Sequence, residues 1–358
     1  MSTAAPSPPV LLDSAEITPE WLTAALRSAG HDVTVTACRS EPVGTGQMAH
    51  NERIFLEYAR GDAGLPSTLV AKLPSPSPES RAAGAAGGYR AETRFYLEIA
   101  ERLACVTPAC HYGAISGDET TFTLLLEDLA PKRQGDQIAG ASDDEIEAAV
   151  RNLAGLHAPM RDAPTLDRID WLAGGVGDQL ALYIEMGTPA FVERYRARLS
   201  DEDVATLEAF AANVKHWVER RPAARTLVHG DYRLDNLMFE RTPDGVAVAA
   251  VDWQTLSIAC GGQDLAYLLG NSSPPEQRRA HEARMLEAYR EAMAALGVEL
   301  SAEEVHGEYV YGAFQGPSIT MLGALAVGQT DRGDDMFMAM ASRSCAQIRD
   351  LEALERIR

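Results

Sequence analysis

The sequence predicts an α+β fold with a small β-rich N-terminal part and a larger, mostly helical C-terminal part. Short apolar and β-branched runs dominate residues 1–127, whereas long stretches with apolar residues at helical spacing follow from Ser142 onward. At 358 residues and 46% hydrophobic content, the chain is long enough for one two-lobed core. We therefore assign residues 1–127 to an N-terminal lobe and residues 128–358 to a C-terminal lobe.

The N-terminal lobe is predicted to contain one early helix and several strands. Small residues and prolines over residues 1–12 predict a disordered tail. A helix is predicted from Thr18 to Ala29, because Pro19 suits a first helical position and Gly30 suits a helix end. Runs rich in β-branched and aromatic residues predict strands at 33–37, 53–58, 67–74 and 121–126.

Two glycines lie between the first two predicted strands. The segment Gly44, Thr45, Gly46 and Gln47 could bring backbone N–H groups close to the phosphate oxygens of a nucleotide. The alternative is an ordinary hairpin turn, since Ala49 stands where a third glycine would complete a phosphate-binding loop. The position of the segment, ahead of a strand that carries a lysine, favours the phosphate-binding interpretation.

That lysine is the one charged residue of an otherwise apolar strand. Lys72 is a candidate binding residue, and Glu92, in the first turns of the next predicted helix, could pair with it. Two alternatives stay open. A lysine can protect an edge strand from aggregation, and a glutamate near a helix N-terminus can simply stabilise the helix dipole.

The C-terminal lobe is predicted to be built mainly from helices. Ser142, followed by Glu145 three residues later, forms a capping box that begins a helix through Leu156. Apolar periodicity and helix-ending residues predict further helices at 178–185, 201–220, 275–296, 302–314 and 334–358.

The most informative segment of the chain lies within this lobe. Asp231 and Asn236 lie five positions apart in a polar loop between two short apolar strands. A tight turn and a returning strand at 246–251 would bring Asp252 back beside Asn236. A carboxylate and an amide oxygen could then share Mg²⁺, which prefers oxygen ligands and takes the rest from nucleotide phosphates. Taken singly, each of these residues could equally be a turn residue or a helix cap.

The whole pattern is the run His-Gly-Asp-Tyr-Arg-Leu-Asp-Asn, from His229 to Asn236, followed by a hairpin and Asp252. It resembles the aminoglycoside phosphotransferase and choline kinase branch of the protein kinase-like superfamily. Gly230, where protein kinases have arginine, is typical of the small-molecule branch. The resemblance implies a bilobal protein kinase-like fold and an ATP- or GTP-dependent kinase that phosphorylates a hydroxyl group of a small molecule.

The resemblance also implies roles for the matching residues. Asp231 would orient and deprotonate the acceptor hydroxyl, Asn236 and Asp252 would hold Mg²⁺, and Lys72 would bind the α and β phosphates. The backbone of a hinge at the end of the strand 121–126 would receive the purine edge. That hinge comprises Glu127, Asp128 and Leu129.

Three further residues around the motif have predicted roles. Arg233 lies two residues after Asp231, where many protein kinases place a lysine, so it could stabilise the charge of the transferred phosphoryl group. It could equally be an ion-pair partner of Asp235, and the sequence leaves both possibilities open. We expect His229 to bond the loop backbone and Asp264 to support the loop or cap a helix.

Charge and cysteine content exclude several classes of function. A net charge of −20 and a pI of about 4.8 argue against nucleic-acid or anionic-membrane partners, which require basic surfaces. The chain begins without a secretory signal and has no apolar stretch long enough for a membrane span, so we expect a cytoplasmic protein. Its five scattered cysteines lack metal-site spacing and are predicted to be free thiols.

The sequence leaves the acceptor open between an aminoglycoside, another amine alcohol, a hydroxyacyl compound and an apolar alcohol. The residues of the motif slightly favour an acceptor other than an aminoglycoside. The motif determines neither the choice between ATP and GTP nor the oligomeric state. A second class of function is a catalytically inactive nucleotide-binding regulatory module of the same fold. The complete set of Lys72, Asp231, Asn236 and Asp252 argues against such a module.

Overall fold

The computed structural model describes residues 8–44, 48–59, 65–172 and 177–358. It divides into two compact units. The N-terminal unit comprises residues 1–102, 107–130 and 252–256, and the C-terminal unit comprises residues 103–106, 131–251 and 257–358. The segment that begins with Asp252 therefore belongs to the N-terminal unit although it follows the hairpin of the C-terminal unit.

The N-terminal unit is built on a five-stranded antiparallel sheet with strand order β1-β2-β3-β5-β4. Alternate residues of β2, including Ile54 and Leu56, are buried on one face, as the two-residue period of a strand requires. The strands are β1 (Val35–Pro42), β2 (Ala49–Tyr58), β3 (Thr68–Pro74), β4 (Cys110–Ile115) and β5 (Phe122–Glu127).

The strand β4 was not predicted, because its sequence lacks alternation and contains a glycine. Gly113 lies where a Cβ atom would come within 3.0 Å of side-chain atoms of both Leu97 and Leu124. The glycine that weakens the strand signal in the sequence therefore makes room for two neighbouring side chains.

Helix α1 (Pro19–Ser28) packs its apolar face into the core of the N-terminal unit. Leu22, Ala25 and Leu26 are fully buried there, and Thr18 caps the helix by accepting the N–H of Trp21 at 3.2 Å. The segment ahead of the helix, which falls within the predicted tail, also packs on this unit. Leu11 is buried and donates its backbone N–H to Thr123 Oγ1 at 2.8 Å.

A helical stretch follows β3. It contains α2 (Pro78–Ala83) and α3 (Tyr89–Arg94), joined by a π-helical segment, Gly84–Gly88, and extended by another, Phe95–Ile99. Gly87 has φ of +141° inside the joining segment, a value that only glycine adopts readily.

The C-terminal unit contains the remaining helices of the described residues. Apolar side chains of α5, α6, α7, α9, α10 and α11 form one core cluster, which includes Phe210, Trp217 and Phe314. The helices are α4 (Asp143–His157), α5 (Gly177–Tyr195), α6 (Asp201–Glu219), α7 (Gly262–Asn271), α8 (Pro275–Ala295), α9 (Ala302–Gly312), α10 (Gln315–Ala326) and α11 (Asp331–Asp350).

Two helices of this unit, α7 and α10, were not predicted, and two others have different ends from those predicted. Pro317 obscured α10 in the sequence, but it lies in the first turn, where the missing N–H has no partner to lose. Helix α5 continues beyond the predicted Glu185 to Tyr195, through Pro189. Helix α11 stops at Asp350, eight residues before the predicted end, and Glu352 adopts a left-handed conformation with φ of +49°.

Two small sheets support the predicted catalytic loop. Strand β7 (Thr226–Val228) precedes the loop and pairs with β10 (Ser257–Ala259). Strands β8 (Leu237–Thr242) and β9 (Gly245–Ala250) form the predicted hairpin, and β6 (Arg133–Gln134) adds to its edge. Val251 extends the hairpin by donating its N–H to the Asn236 carbonyl at 3.0 Å.

Among the residues that the structure describes, no helix is both long enough and apolar enough to cross a membrane.

The chain is α+β, with its sheet of five strands in the N-terminal unit and most of its helices in the C-terminal unit, as the sequence predicted.

Candidate active site

In the N-terminal unit, three of the predicted site residues lie together around one amine. Lys72 Nζ is 2.6 Å from Glu92 Oε1 and 3.0 Å from Asp252 Oδ1. Strand β3 supplies the lysine and α3 supplies the glutamate, which form the predicted pair. Both side chains are buried, whereas that of Asp252 is 40% exposed.

The buried amine of Lys72 remains a cation. Burial alone would lower its pKa, but the carboxylates of Asp252 and Glu92 outweigh burial and raise the pKa above its usual value. A lysine held in this way presents a fixed positive charge next to a partly exposed carboxylate.

The backbone at Asp252 is constrained. Its φ is +69°, a left-handed conformation that costs a residue with a Cβ atom on the order of 1 kcal/mol. The next residues hold the segment in place. Trp253 stacks on Phe95 with ring centroids 3.7 Å apart, and Gln254 Nε2 donates to Glu92 Oε2 at 3.2 Å.

The glycine segment and the predicted hinge also belong to the N-terminal unit. Gly44, two residues after the end of β1, has φ of +80°, whereas Thr45, Gly46 and Gln47 lie outside the described residues. At the predicted hinge, Glu127 is the last residue of β5 and Leu129 is half-buried.

The side chain of Asp128, in the predicted hinge, forms an ion pair within the N-terminal unit. Its carboxylate accepts two hydrogen bonds from Arg53 of β2, at 2.8 and 3.2 Å. Burial opposes ionisation of Asp128, but the Arg53 hydrogen bond prevails and lowers the pKa of the carboxyl. The bidentate pair ties the segment after β5 to β2, on the other side of β3 in the sheet.

In the C-terminal unit, the predicted catalytic aspartate is hydrogen-bonded at both carboxylate oxygens. Asn236 Nδ2 donates to Asp231 Oδ2 at 2.9 Å, and Tyr267 Oη donates to Asp231 Oδ1 at 2.8 Å. Arg233 Nε lies 3.1 and 3.2 Å from the two oxygens. Because Asn236 uses its amide nitrogen on Asp231, its amide oxygen points elsewhere and is a suitable ligand for a cation.

The backbone of the loop is fixed from α7. Asp264 accepts the N–H of His229 at 2.6 Å and the N–H of Gly230 at 2.9 Å, so it supports the loop, one of its two predicted roles. Gly230 has φ of +81°, which explains a glycine at this position. The His229 ring accepts the Asp231 N–H and bonds the Val251 carbonyl, which confirms its predicted structural role.

A buried histidine supports Asp264 in turn. His157 at the end of α4 is fully buried, with Nε2 3.4 Å from Asp264 Oδ2 and Nδ1 2.8 Å from Tyr289 Oη. The sequence did not single out His157. Its spacing on α4 carries no signal for the contact, which joins residues more than a hundred positions apart.

Arg233 bridges two acids of the loop. Its Nη1 donates to Asp235 Oδ2 at 2.8 Å while its Nε faces Asp231. Burial alone would lower the pKa of the Arg233 guanidinium. The carboxylates of Asp231 and Asp235 outweigh burial and raise this pKa above its usual value. The ion pair with Asp235 therefore exists, together with a direct contact to the predicted base.

One glutamine, which the sequence did not single out, holds the remainder of the loop. Gln137 accepts the Leu234 N–H at Oε1, at 2.9 Å, and donates its own backbone N–H to Asp235 Oδ1, at 2.9 Å. Its side chain also donates to the Asn271 carbonyl at the end of α7. Hydrogen bonds from the segment that precedes α4 and from α7 therefore hold the loop in place.

Within the described parts of the chain, no group of three or more histidine, cysteine, aspartate or glutamate side chains could hold a metal ion by itself. The five cysteines are all free thiols, as predicted.

The comparison with known families decides the identity of this arrangement. A model of the phosphotransferase enzyme family matches residues 47–297, well over half of the chain. The chain belongs to the phosphotransferase enzyme family. It is accordingly an enzyme that transfers a phosphoryl group to an alcohol group, as the sequence predicted. A search of curated proteins finds no match to this phosphotransferase.

Solved structures share the fold of this phosphotransferase. The GDP and kanamycin complex of APH(2″)-IIIa has a TM-score of 0.52 and 16% identity, covering 93% of this chain and 98% of that one. The gentamicin complex of APH(2″)-IIa has a TM-score of 0.51 and 14% identity, covering 94% and 97%. An ethanolamine kinase from Plasmodium vivax has a TM-score of 0.50 and 11% identity, covering 88% and 83%.

At these identities the likeness concerns the fold. The phosphotransferase therefore has the predicted α+β bilobal protein kinase-like fold.

Proposed function

We propose that this phosphotransferase moves the γ-phosphoryl group of ATP or GTP to a hydroxyl group of a small molecule in the cytoplasm. The observation that carries the proposal is the geometry of Asp231. Its carboxylate is oriented by Asn236 and Arg233 in a loop whose backbone is fixed by Asp264. A carboxylate held at a defined angle is what alignment of an acceptor hydroxyl requires.

In the proposed reaction, the acceptor oxygen attacks the γ-phosphorus as the bond to the β-phosphate oxygen breaks. Asp231 aligns the hydroxyl and takes its proton. Arg233 lies against the same carboxylate and supplies a permanent positive charge, which would stabilise negative charge on the transferred group.

The nucleotide would be held from the N-terminal unit. Lys72 would bind the phosphates, with Glu92 keeping its amine in position. The segment from Gly44 through Thr45, Gly46 and Gln47 would cover the phosphates, and the backbone of Glu127, Asp128 and Leu129 would receive the base. A neighbour of the same fold was solved as a GDP complex, which supports a nucleoside triphosphate donor.

Magnesium would be held by Asn236 and Asp252. Both fit as ligands, because one offers an amide oxygen and the other a partly exposed carboxylate, which are hard donors. When bound, the metal would neutralise charge on the phosphates. Asp252 Oδ1 also lies 3.0 Å from Lys72 Nζ, so this carboxylate is next to the amine that would bind the phosphates.

For the acceptor we propose a small hydroxyl compound with no nucleic acid or membrane involved. Neighbours of this fold are named as a kanamycin complex and an ethanolamine kinase, both of which concern amine alcohols. Met336 of α11 touches Arg233 through its sulfur, at 3.2 Å, so thioether surface also reaches the loop. The amine alcohols and the apolar alcohols therefore both belong in a test.

The test is a transfer assay with γ-labelled ATP and GTP, with and without Mg²⁺, against aminoglycosides, ethanolamine, hydroxyacyl compounds and apolar alcohols. We expect Mg²⁺-dependent formation of a phosphate monoester from at least one class. Magnesium-dependent nucleotide binding with no product from any class would instead support the inactive regulatory module.

A further inference from the structure

Helix α7 makes a second contact with the catalytic loop through a tyrosine. Tyr267 lies three residues after Asp264, so both side chains project from the same face of the helix. Asp264 fixes the loop backbone, whereas Tyr267 Oη donates to Asp231 Oδ1 at 2.8 Å. The tyrosine is fully buried.

The three donors to the Asp231 carboxylate have different origins. Asn236 and Arg233 belong to the loop itself. Tyr267 is attached to α7, which packs in the core of the C-terminal unit. Of these donors, Tyr267 is the one that fixes the orientation of the carboxylate relative to the core of the C-terminal unit rather than relative to the loop.

The phenol is suited to this task. Its pKa lies well above the usual value, because burial disfavours the phenolate and the negative charge of Asp231 disfavours it further. Tyr267 therefore stays a hydrogen-bond donor. Its ring is held among core side chains, so the hydroxyl has little freedom to follow a shifted carboxylate.

We propose that Tyr267 is a positioning residue for phosphoryl transfer, which fixes the Asp231 carboxylate at the angle needed to align the acceptor hydroxyl. This inference rests on the proposed function of Asp231. Tyr267 acts through Asp231 and need not touch the substrate.

The test is Tyr267→Phe, which removes the hydroxyl and keeps the ring. We expect kcat to fall about tenfold or more, because small misplacement of a reacting group is costly, while KM for MgATP stays within about twofold. The measurement uses steady-state kinetics with MgATP and the acceptor that gives product in the transfer assay, at protein concentrations corrected for the folded fraction.

A matched control is Tyr309→Phe on α9. Tyr309 is also fully buried, and its hydroxyl also donates to a carboxylate, that of Glu282, at 2.7 Å. The control should show a similar loss of thermal stability with unchanged kcat. Equal kcat losses in the two variants would mean that Tyr267 has only a structural role, and the inference would be overturned.

A crystal structure of Tyr267→Phe separates this inference from the proposed function. We expect the Asp231 carboxylate to rotate away from its position between Asn236 and the ring at 267. An unmoved carboxylate would overturn the positioning role even if the wild-type enzyme phosphorylated no compound tested. Absence of turnover in the wild type with a rotated carboxylate in the variant would count against the proposed function alone.

Discussion

Arg233 contacts both the predicted base and a structural acid, so the two roles considered for it from the sequence are physically compatible. Its Nη1 donates to Asp235, and its Nε donates to Asp231. Loss of the arginine would free Asp231 from one donor and leave Asp235 with a weaker partner, Arg332, at 3.5 Å. The side chain of Arg332 is 55% exposed, so this second pair contributes little.

For Arg233→Ala, we expect kcat to fall on the order of 100-fold, as is usual when a charge that stabilises a transition state is removed. Steady-state kinetics would measure it, together with the affinity for MgATP, which should change much less.

Arg332→Ala is the control for this change, because it also removes a cation from Asp235 but leaves Asp231 untouched. It should keep wild-type turnover. If Arg233→Ala retained full turnover and lost only thermal stability, the arginine would be a structural ion-pair partner and no more.

At the scale of elements, α7 organises the catalytic loop, although this helix was not predicted from the sequence. Its first turn provides Asp264 and its next turn provides Tyr267. Gly262 allows the helix to begin against α9, since a Cβ atom there would lie 2.1 Å from the Glu308 carbonyl oxygen. Gly262 thus serves helix packing, and Asp264, two residues later, serves the loop.

Asp264→Ala should destabilise the protein by about 3 kcal/mol, because two buried N–H groups lose their acceptor. Urea unfolding would measure the loss. Hydrogen exchange should locate it, since the amides of His229 and Gly230 would exchange faster than those of α6.

Ser301→Ala, at the cap of α9, provides the comparison. Its Oγ accepts the Glu304 N–H at 3.1 Å on the exposed surface, so its loss should cost about 1 kcal/mol and leave the loop amides protected. Equal exchange of the His229 amide in wild type and Asp264→Ala would contradict an anchoring role for α7.

For the whole molecule, the sequence predicted the features that depend on residues close together in the chain. It did not predict the contacts between residues far apart in the chain. The loop from His229 to Asn236, its hairpin and the pair of Lys72 with Glu92 follow from motif spacing and apolar patterning. His157, Tyr267 and Gln137 could not be predicted, since each acts on a residue at least 36 positions away and none has a local signature.

The same distinction applies to the elements. The capping box at Ser142 is present in the structure because its hydrogen bonds join residues three apart. In contrast, β4 and α10 carry glycine or proline, which argue against a strand or a helix locally. In the structure, neighbouring side chains fill the space that a side chain at Gly113 would need. Pro317 lies in the first turn of α10, where a helix tolerates proline.

The central claim is that Asp231 aligns the acceptor for phosphoryl transfer, and Asp231→Asn tests it most directly. The substitution keeps the size of the side chain and removes its capacity to take a proton. Titration calorimetry with MgATP should give an affinity within about twofold of wild type, while phosphoryl transfer at saturating nucleotide should fall by about 100-fold or more. Transfer at the wild-type rate by a folded, nucleotide-binding Asp231→Asn protein would contradict the account.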